Sequence, residues 1–150
     1  MTKFYLAALA ACFASYAAAQ DAPLDVWQDD RTQVFDAADI TLDDLIWQAR
    51  PLVVFANSPF DPLFIRQMEL LADGADELAL RDIIIIADTD SDTMSDLRRK
   101  LRPRAFMLTL IGKDGQVKLR KPAPWDVREL SRSIDKTPLR QQEIRDRRGN

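Results

Sequence analysis

Residues 50 to 62 read RPLVVFANSPFDP, and how this stretch is read decides the fold. Leu52 to Ala56 is an unbroken apolar run with two adjacent valines. Its shortness and β-branching favour a strand buried on both faces over a helix, which needs a longer run at 3.6-residue spacing. Asp61-Pro62 then reads as a helix start. The aspartate is a good N-cap acceptor, and proline is tolerated at the first helical position, where its missing N–H costs nothing. Phe64, Ile65, Met68, Leu71, Ala72, Ala75 and Leu78 continue at helical spacing to about Leu80. Gly74 weakens that helix by about 1 kcal/mol and is a point where it can bend. The stretch therefore predicts a buried strand, a short loop and a helix.

The same reasoning extends in both directions. Upstream, Thr41-Leu42-Asp43-Asp44 resembles a capping box opening a short helix through about Ala49, which Pro51 stops. Residues 20 to 41 are polar and acidic and read as a leader. Downstream, Ile83 to Ile86 predicts a second doubly buried strand. Thr93-Met94-Ser95-Asp96 caps another helix with Met94, Leu97 and Leu101 on one face, and Pro103 closes it. Phe106 to Ile111 is a third strand. Lys113-Asp114-Gly115 is a hairpin turn, and Gln116 to Arg120 alternates as a half-exposed edge strand. Asp126 to about Lys136 is a helix with Val127, Leu130 and Ile134 inward. Trp27, Trp47 and Trp125 read as core or staple residues. Residues 137 to 150 read as a polar, basic tail.

The resulting order, β-α-β-α-β-β-α, predicts one α/β domain over residues 42–136. Two parallel strands joined through helices, then an antiparallel hairpin and a closing helix, make a thioredoxin-like core with a mixed sheet flanked by helices. The right-handed crossover rule leaves few other arrangements. A chain of 150 residues is enough for one such core.

Composition constrains compartment and chemistry more than any residue present. The N-terminus, MTKFYLAALAACFASYAAAQ, has one cation, an apolar stretch and Ala17-Ala18-Ala19. This pattern predicts a secretory signal over residues 1–19, and hence a periplasmic or secreted protein. Leu9-Ala10-Ala11-Cys12 also resembles a lipoprotein box. Lipidation of Cys12 is the minor alternative, and the only one that would attach the chain to a membrane. Cys12 is the sole cysteine and there is no histidine. Cleavage after Ala19 would leave no thiol nucleophile, no thiolate ligand and no imidazole base. No cofactor is expected, and the chain reads as leaning away from an enzyme.

Charge is lopsided. Residues 1 to 97 hold 5 basic and 18 acidic side chains, whereas residues 98 to 150 hold 16 and 6. The basic cluster Arg98, Arg99, Lys100, Arg102, Arg104 lacks interleaved aromatics for base stacking, and an exported chain meets little nucleic acid, so a nucleic-acid partner is not expected. In a thioredoxin-like fold the active site is the loop after the first core strand. Here Ser58-Pro59-Phe60-Asp61 stands where a Cys-x-x-Cys would be, which removes thiol exchange, and Ser58 has no histidine base. Asp88, Asp90 and Asp92 alternate after a strand, but an EF-hand would need glycine and glutamate where Thr93 and Arg99 stand. They remain a weak candidate cation site, against a solvated loop with a helix cap.

RPLVVFANSPFDP, LIGKDGQVKLR (residues 110–120) and IDKTPLRQQEIR (residues 134–145) together resemble an exported bacterial family described as a domain of unknown function. That family is related to domains of equarin and of sushi-repeat-containing X-linked proteins. The resemblance covers about residues 42 to 147, and its last motif is the most specific. It implies a thioredoxin-like fold and a peroxiredoxin-like or redox ancestry. The chain departs from that chemistry, lacking the loop cysteine and the proline that thioredoxins carry just before the third core strand, where Phe106 and Met107 stand. The expected function is a non-catalytic periplasmic module that binds a protein or envelope partner, with Asn57, Ser58, Phe60, Asp61, Arg140 and Arg145 as its candidate surface. The alternative is an atypical redox or oxidative-stress-related protein of peroxiredoxin-like ancestry.

Overall fold

The computed structural model describes residues 22–149. The expected signal segment and Cys12 lie outside these residues. The elements are α1 (Pro23–Asp29), β1 (Val34–Asp36), β2 (Arg50–Phe55), α2 (Pro62–Asp73), α3 (Ala75–Ala79), β3 (Ile83–Asp88), α4 (Asp96–Leu101), β4 (Met107–Ile111), β5 (Val117–Lys121), α5 (Val127–Asp135) and α6 (Pro138–Gly149). Five strands form one sheet in the order β1-β3-β2-β4-β5. β3 lies parallel to both β1 and β2, while β4 is antiparallel to β2 and β5.

β2 is the doubly buried strand its composition predicts. Its residues alternate between two cores, because successive side chains leave opposite faces of a sheet. Val53 and Phe55 pack with Trp27, Ile84, Ile86, Leu97 and Leu101 beneath α1 and α4. Leu52 and Val54 pack with Leu71, Leu78, Ile85, Leu130 and Ile134 beneath α2, α3 and α5. Each of these four β2 side chains is fully buried, worth roughly 1.5–3 kcal/mol apiece.

Several local expectations change. The helix expected to run to Leu80 breaks at Gly74 into α2 and α3. A Cβ at Gly74 would sit 2.6 Å from Val127 Cγ1, so only glycine lets α5 approach there. The helix opened by Thr41 is a 3-10 turn, Leu42–Leu45, and Thr41 makes no side-chain cap. α4 is capped by Ser95, whose Oγ accepts from the Arg98 N–H, and Met94 lies outside the helix, 53% exposed. Trp47 is exposed in a left-handed turn (φ 63°) instead of stapling the core.

Both flanks carry structure that polarity concealed. Within the expected leader, α1 buries Trp27, whose Nε1–H donates to the Ile83 carbonyl at 3.1 Å, and β1 pairs with β3. The expected tail forms α6, held largely by charge. No described helix is long and apolar enough to cross a membrane.

Candidate functional site

The parallel strands β2 and β3 both end beneath the 56–62 loop, and the deepest feature there is an ion pair. Asp88 closes β3 and Arg98 lies on the inward face of α4, three residues before buried Leu101. The Arg98 Nε–H donates to Asp88 Oδ1 at 2.7 Å, while its Nη2 donates to the carbonyls of Ala56 (2.5 Å) and Asp88 (3.0 Å). The Ser95 hydroxyl donates to Asp88 Oδ2 at 2.6 Å. The guanidinium carbon lies 5.5 Å from the Phe55 ring centre. Both ionic side chains are almost fully buried, so this one guanidinium ties the ends of both central strands to α4.

Each loop residue has an identifiable place. Asn57 is exposed. The Ser58 Oγ accepts from the Phe60 N–H at 3.1 Å, which makes it a turn residue. Asp61 Oδ1 accepts from the Leu63 N–H at 2.8 Å, and Pro62 follows, as an N-cap requires. The free N–H groups that make a helix start attractive to anions are thereby reduced by the chain's own carboxylate. Phe60 projects from the loop, 81% exposed.

Two neighbouring segments complete this end of the molecule. β4 runs antiparallel to β2 with Met107 opposite Phe55, so the segment leading into β4 enters at the loop end of the sheet. Arg102 (φ 50°) and Ala105 (φ 47°) both lie in the left-handed region, at a cost of roughly 1–2 kcal/mol each for non-glycine residues. Arg102 is the C-cap of α4, its N–H donating to the Arg98 carbonyl, and Trp47 and Asp82 adopt the same region elsewhere in the fold. On the far side, buried Gln67 of α2 donates to the Trp125 carbonyl and accepts from the Trp125 N–H, both at 2.9 Å, which holds the β5–α5 connection rigid. Half-buried Trp125 carries Lys121 Nζ 4.2 Å from its ring centre.

The expected cation site is not assembled. Asp88 is committed to Arg98 and Ser95, and Asp90 Oδ1 accepts from the N–H groups of Asp92 and Thr93. Those bonds, with the Thr93 hydroxyl foremost, hold the Asp90 carboxyl below its ordinary value. No cluster of three potential metal ligands occurs among the described residues.

Nor do loop and tail form one surface. Arg140 is buried at the opposite end of the sheet, beside Arg50 at the start of β2, roughly 20 Å from the loop. There Glu143 accepts from Arg50 Nη2 at 2.9 Å and pairs with Lys113 and Arg140. Asp82 pairs with Arg31 and Lys113, and Asp135 with Arg81 and Arg140. Burial pushes the carboxyls of Asp82, Asp135 and Glu143 up. The facing cations outweigh it and leave all three below their ordinary values. Arg140 is thus part of the clasp seating α6, and Arg145 alone of the two is exposed.

The Arg98–Asp88 lock is the feature sequence reasoning missed. A signal was present. Asp88 ends an apolar strand, and Arg98 shares a helical face with Leu101, where a charge needs a buried partner.

Residues 41–143 match the profile of a family described as a domain of unknown function, DUF4174. Among solved structures, the reduced 2-Cys peroxiredoxin of Plasmodium vivax is similar with a TM-score of 0.55 and 14% identity, over 70% of this chain and 85% of that one. The mitochondrial 2-Cys peroxiredoxin of Plasmodium falciparum gives 0.47 and 15%, over 67% and 84%. No curated protein matches. At such identities the likeness shows the fold alone, and that fold is thioredoxin-like.

Proposed function

From the premise that the chain belongs to the DUF4174 family of domains of unknown function, we propose that it is an exported, non-catalytic binding module working in the periplasm or outside the cell. Its working end is the loop end of the sheet, where Phe60 stands in solvent three residues after exposed Asn57. The observation that carries this reading is the Arg98–Asp88 lock together with the Asp61 cap. The position that holds reactive groups in catalytic members of the fold is filled here by side chains satisfying one another, while an aromatic ring is left in solvent. Export rests on the signal pattern of residues 1–19.

The experiment is photocrosslinking in intact cells from an unnatural amino acid at position 60, with position 145 at the opposite end as comparison. A discrete adduct from position 60 and none from position 145 is the expected result. Adducts from neither would refute the binding role of this end.

The redox alternative draws on the peroxiredoxin-like fold, which fits a shared ancestry. Beyond Cys12 the chain has no thiol to carry it. Consumption of hydrogen peroxide by purified protein lacking residues 1–19, above that of a heat-denatured sample, would restore it.

A further inference from the structure

The loop end is not only apolar. Met94, Arg98, Arg99, Arg102 and Pro103 line an open groove of about 520 Å³ there. Five cations fall between residues 98 and 104, yet they are not equivalent. Arg98 is consumed by Asp88, Arg99 pairs with Asp96, and Lys100 reaches Asp43 at 3.4 Å. Arg102 and Arg104 are exposed and form no ion pair among the described residues. Arg120 joins them from β5, where its Nη1 donates to the Leu101 carbonyl at 2.6 Å, and it too forms no ion pair among the described residues. Arg102 is the left-handed C-cap of α4 and Ala105 is left-handed again before β4, so the connecting segment turns twice between them.

Resting on the binding role proposed above, we infer that this groove receives an acidic peptide segment of a partner protein, with carboxylates pairing to Arg102 and to the adjoining Arg104 and Arg120 and an apolar side chain seated against Met94 and Pro103. Charge complementarity carries the choice of occupant. Guanidinium groups donate to carboxylates in a planar, two-bond geometry that ammonium groups do not match, and the three cations gathered at this groove are arginines. A membrane surface fits less well. Polybasic lipid binding uses roughly four to eight cations free at once, whereas Arg98, Arg99 and Lys100 are already paired with acids and Lys121 lies over the Trp125 ring.

The test uses purified protein and two fluorescein-labelled twelve-residue peptides, one repeating Glu-Glu-Phe and the other Gln-Gln-Phe, read by anisotropy at low and moderate salt. Saturable binding of the acidic peptide, at least tenfold tighter than the neutral one and weakened by salt, is expected. Arg102→Asn combined with Arg104→Gln should reduce it at least tenfold. Asparagine accepts the left-handed backbone, so the fold is retained, and an unchanged melting midpoint verifies that. Arg145→Gln, at the opposite end, should leave binding unchanged. Equal affinity for both peptides, or full binding by the double variant, would overturn the inference. So would the double variant abolishing binding to phosphatidylglycerol vesicles, or abolishing self-association in sedimentation, with no acidic-peptide binding by the parent. An adduct from position 60 in cells without acidic-peptide binding would sink this inference and leave the binding role standing.

Discussion

Asp61 and Asp88 show how differently two aspartates at one end of a sheet can act. Asp61 has the simpler task, a single bond to a helix-start N–H beside solvent. Asp61→Ala should therefore cost about 1 kcal/mol, or about 2–4 °C in melting midpoint, and an unchanged midpoint would refute the cap. Asp88 is desolvated and accepts from both Arg98 and Ser95. Removing it strands a buried guanidinium, which costs about 3–5 kcal/mol in comparable pairs. Asp88→Ala should be far more damaging than Asp61→Ala in urea denaturation. Replacing both partners with apolar residues, Asp88→Leu with Arg98→Met, should recover much of the loss, because no unpaired charge remains. If the double variant were as unstable as Asp88→Ala, the pair would matter through its bonds to Ala56 and not through desolvation.

Elements were legible wherever one local pattern dominated. The runs at 52–56 and 83–86 are strands because apolar β-branched residues on both faces admit little else, and Asp61-Pro62 starts a helix by the chemistry of its own two residues. What stayed hidden depends on partners distant in sequence. α6 has too few apolar residues to announce itself, and its seat is charge contributed by β2, α5 and the β4–β5 turn. β1 is three residues long and becomes a strand because β3 offers an edge. The candidate site divides the same way, since the loop's position followed from strand and cap, whereas the Arg98 lock required knowing which strand end faces α4. Gly74 is an intermediate case, expected as a bend but in fact required by the close approach of α5. Gly74→Ala should destabilise by about 1–3 kcal/mol through overpacking, although alanine is the better helix former. Val127→Ala in the same chain should relieve part of that loss, and a simple sum of the two single losses would show that the contact does not decide the break.

At the scale of the whole molecule, the two ends of the sheet are built on opposite electrostatic terms. The loop end leaves arginines uncommitted, whereas the far end compensates its charges, with Asp82, Asp135 and Glu143 holding Arg31, Arg50, Arg81, Lys113 and Arg140. That clasp makes stability depend on acid in a defined direction. The three carboxyls sit below their ordinary values of 3.8 for aspartate and 4.5 for glutamate when folded. An unfolded chain therefore takes up protons first as pH falls, and stability is fully present above the ordinary values and lost as pH drops through the folded ones. The melting midpoint should be nearly flat from neutral pH to about 5 and then fall steeply toward pH 3. Glu143→Gln isolates the clasp from the other carboxylates. It should lower the midpoint at pH 7, by leaving Arg50 a neutral amide oxygen in place of its nearest carboxylate, with Asp82 farther off at 3.9 Å, and shrink the drop between pH 5 and 3. If the variant lost as much stability as the parent across that interval, the acid sensitivity would lie elsewhere, and the Glu143 pairs would not be what seats α6.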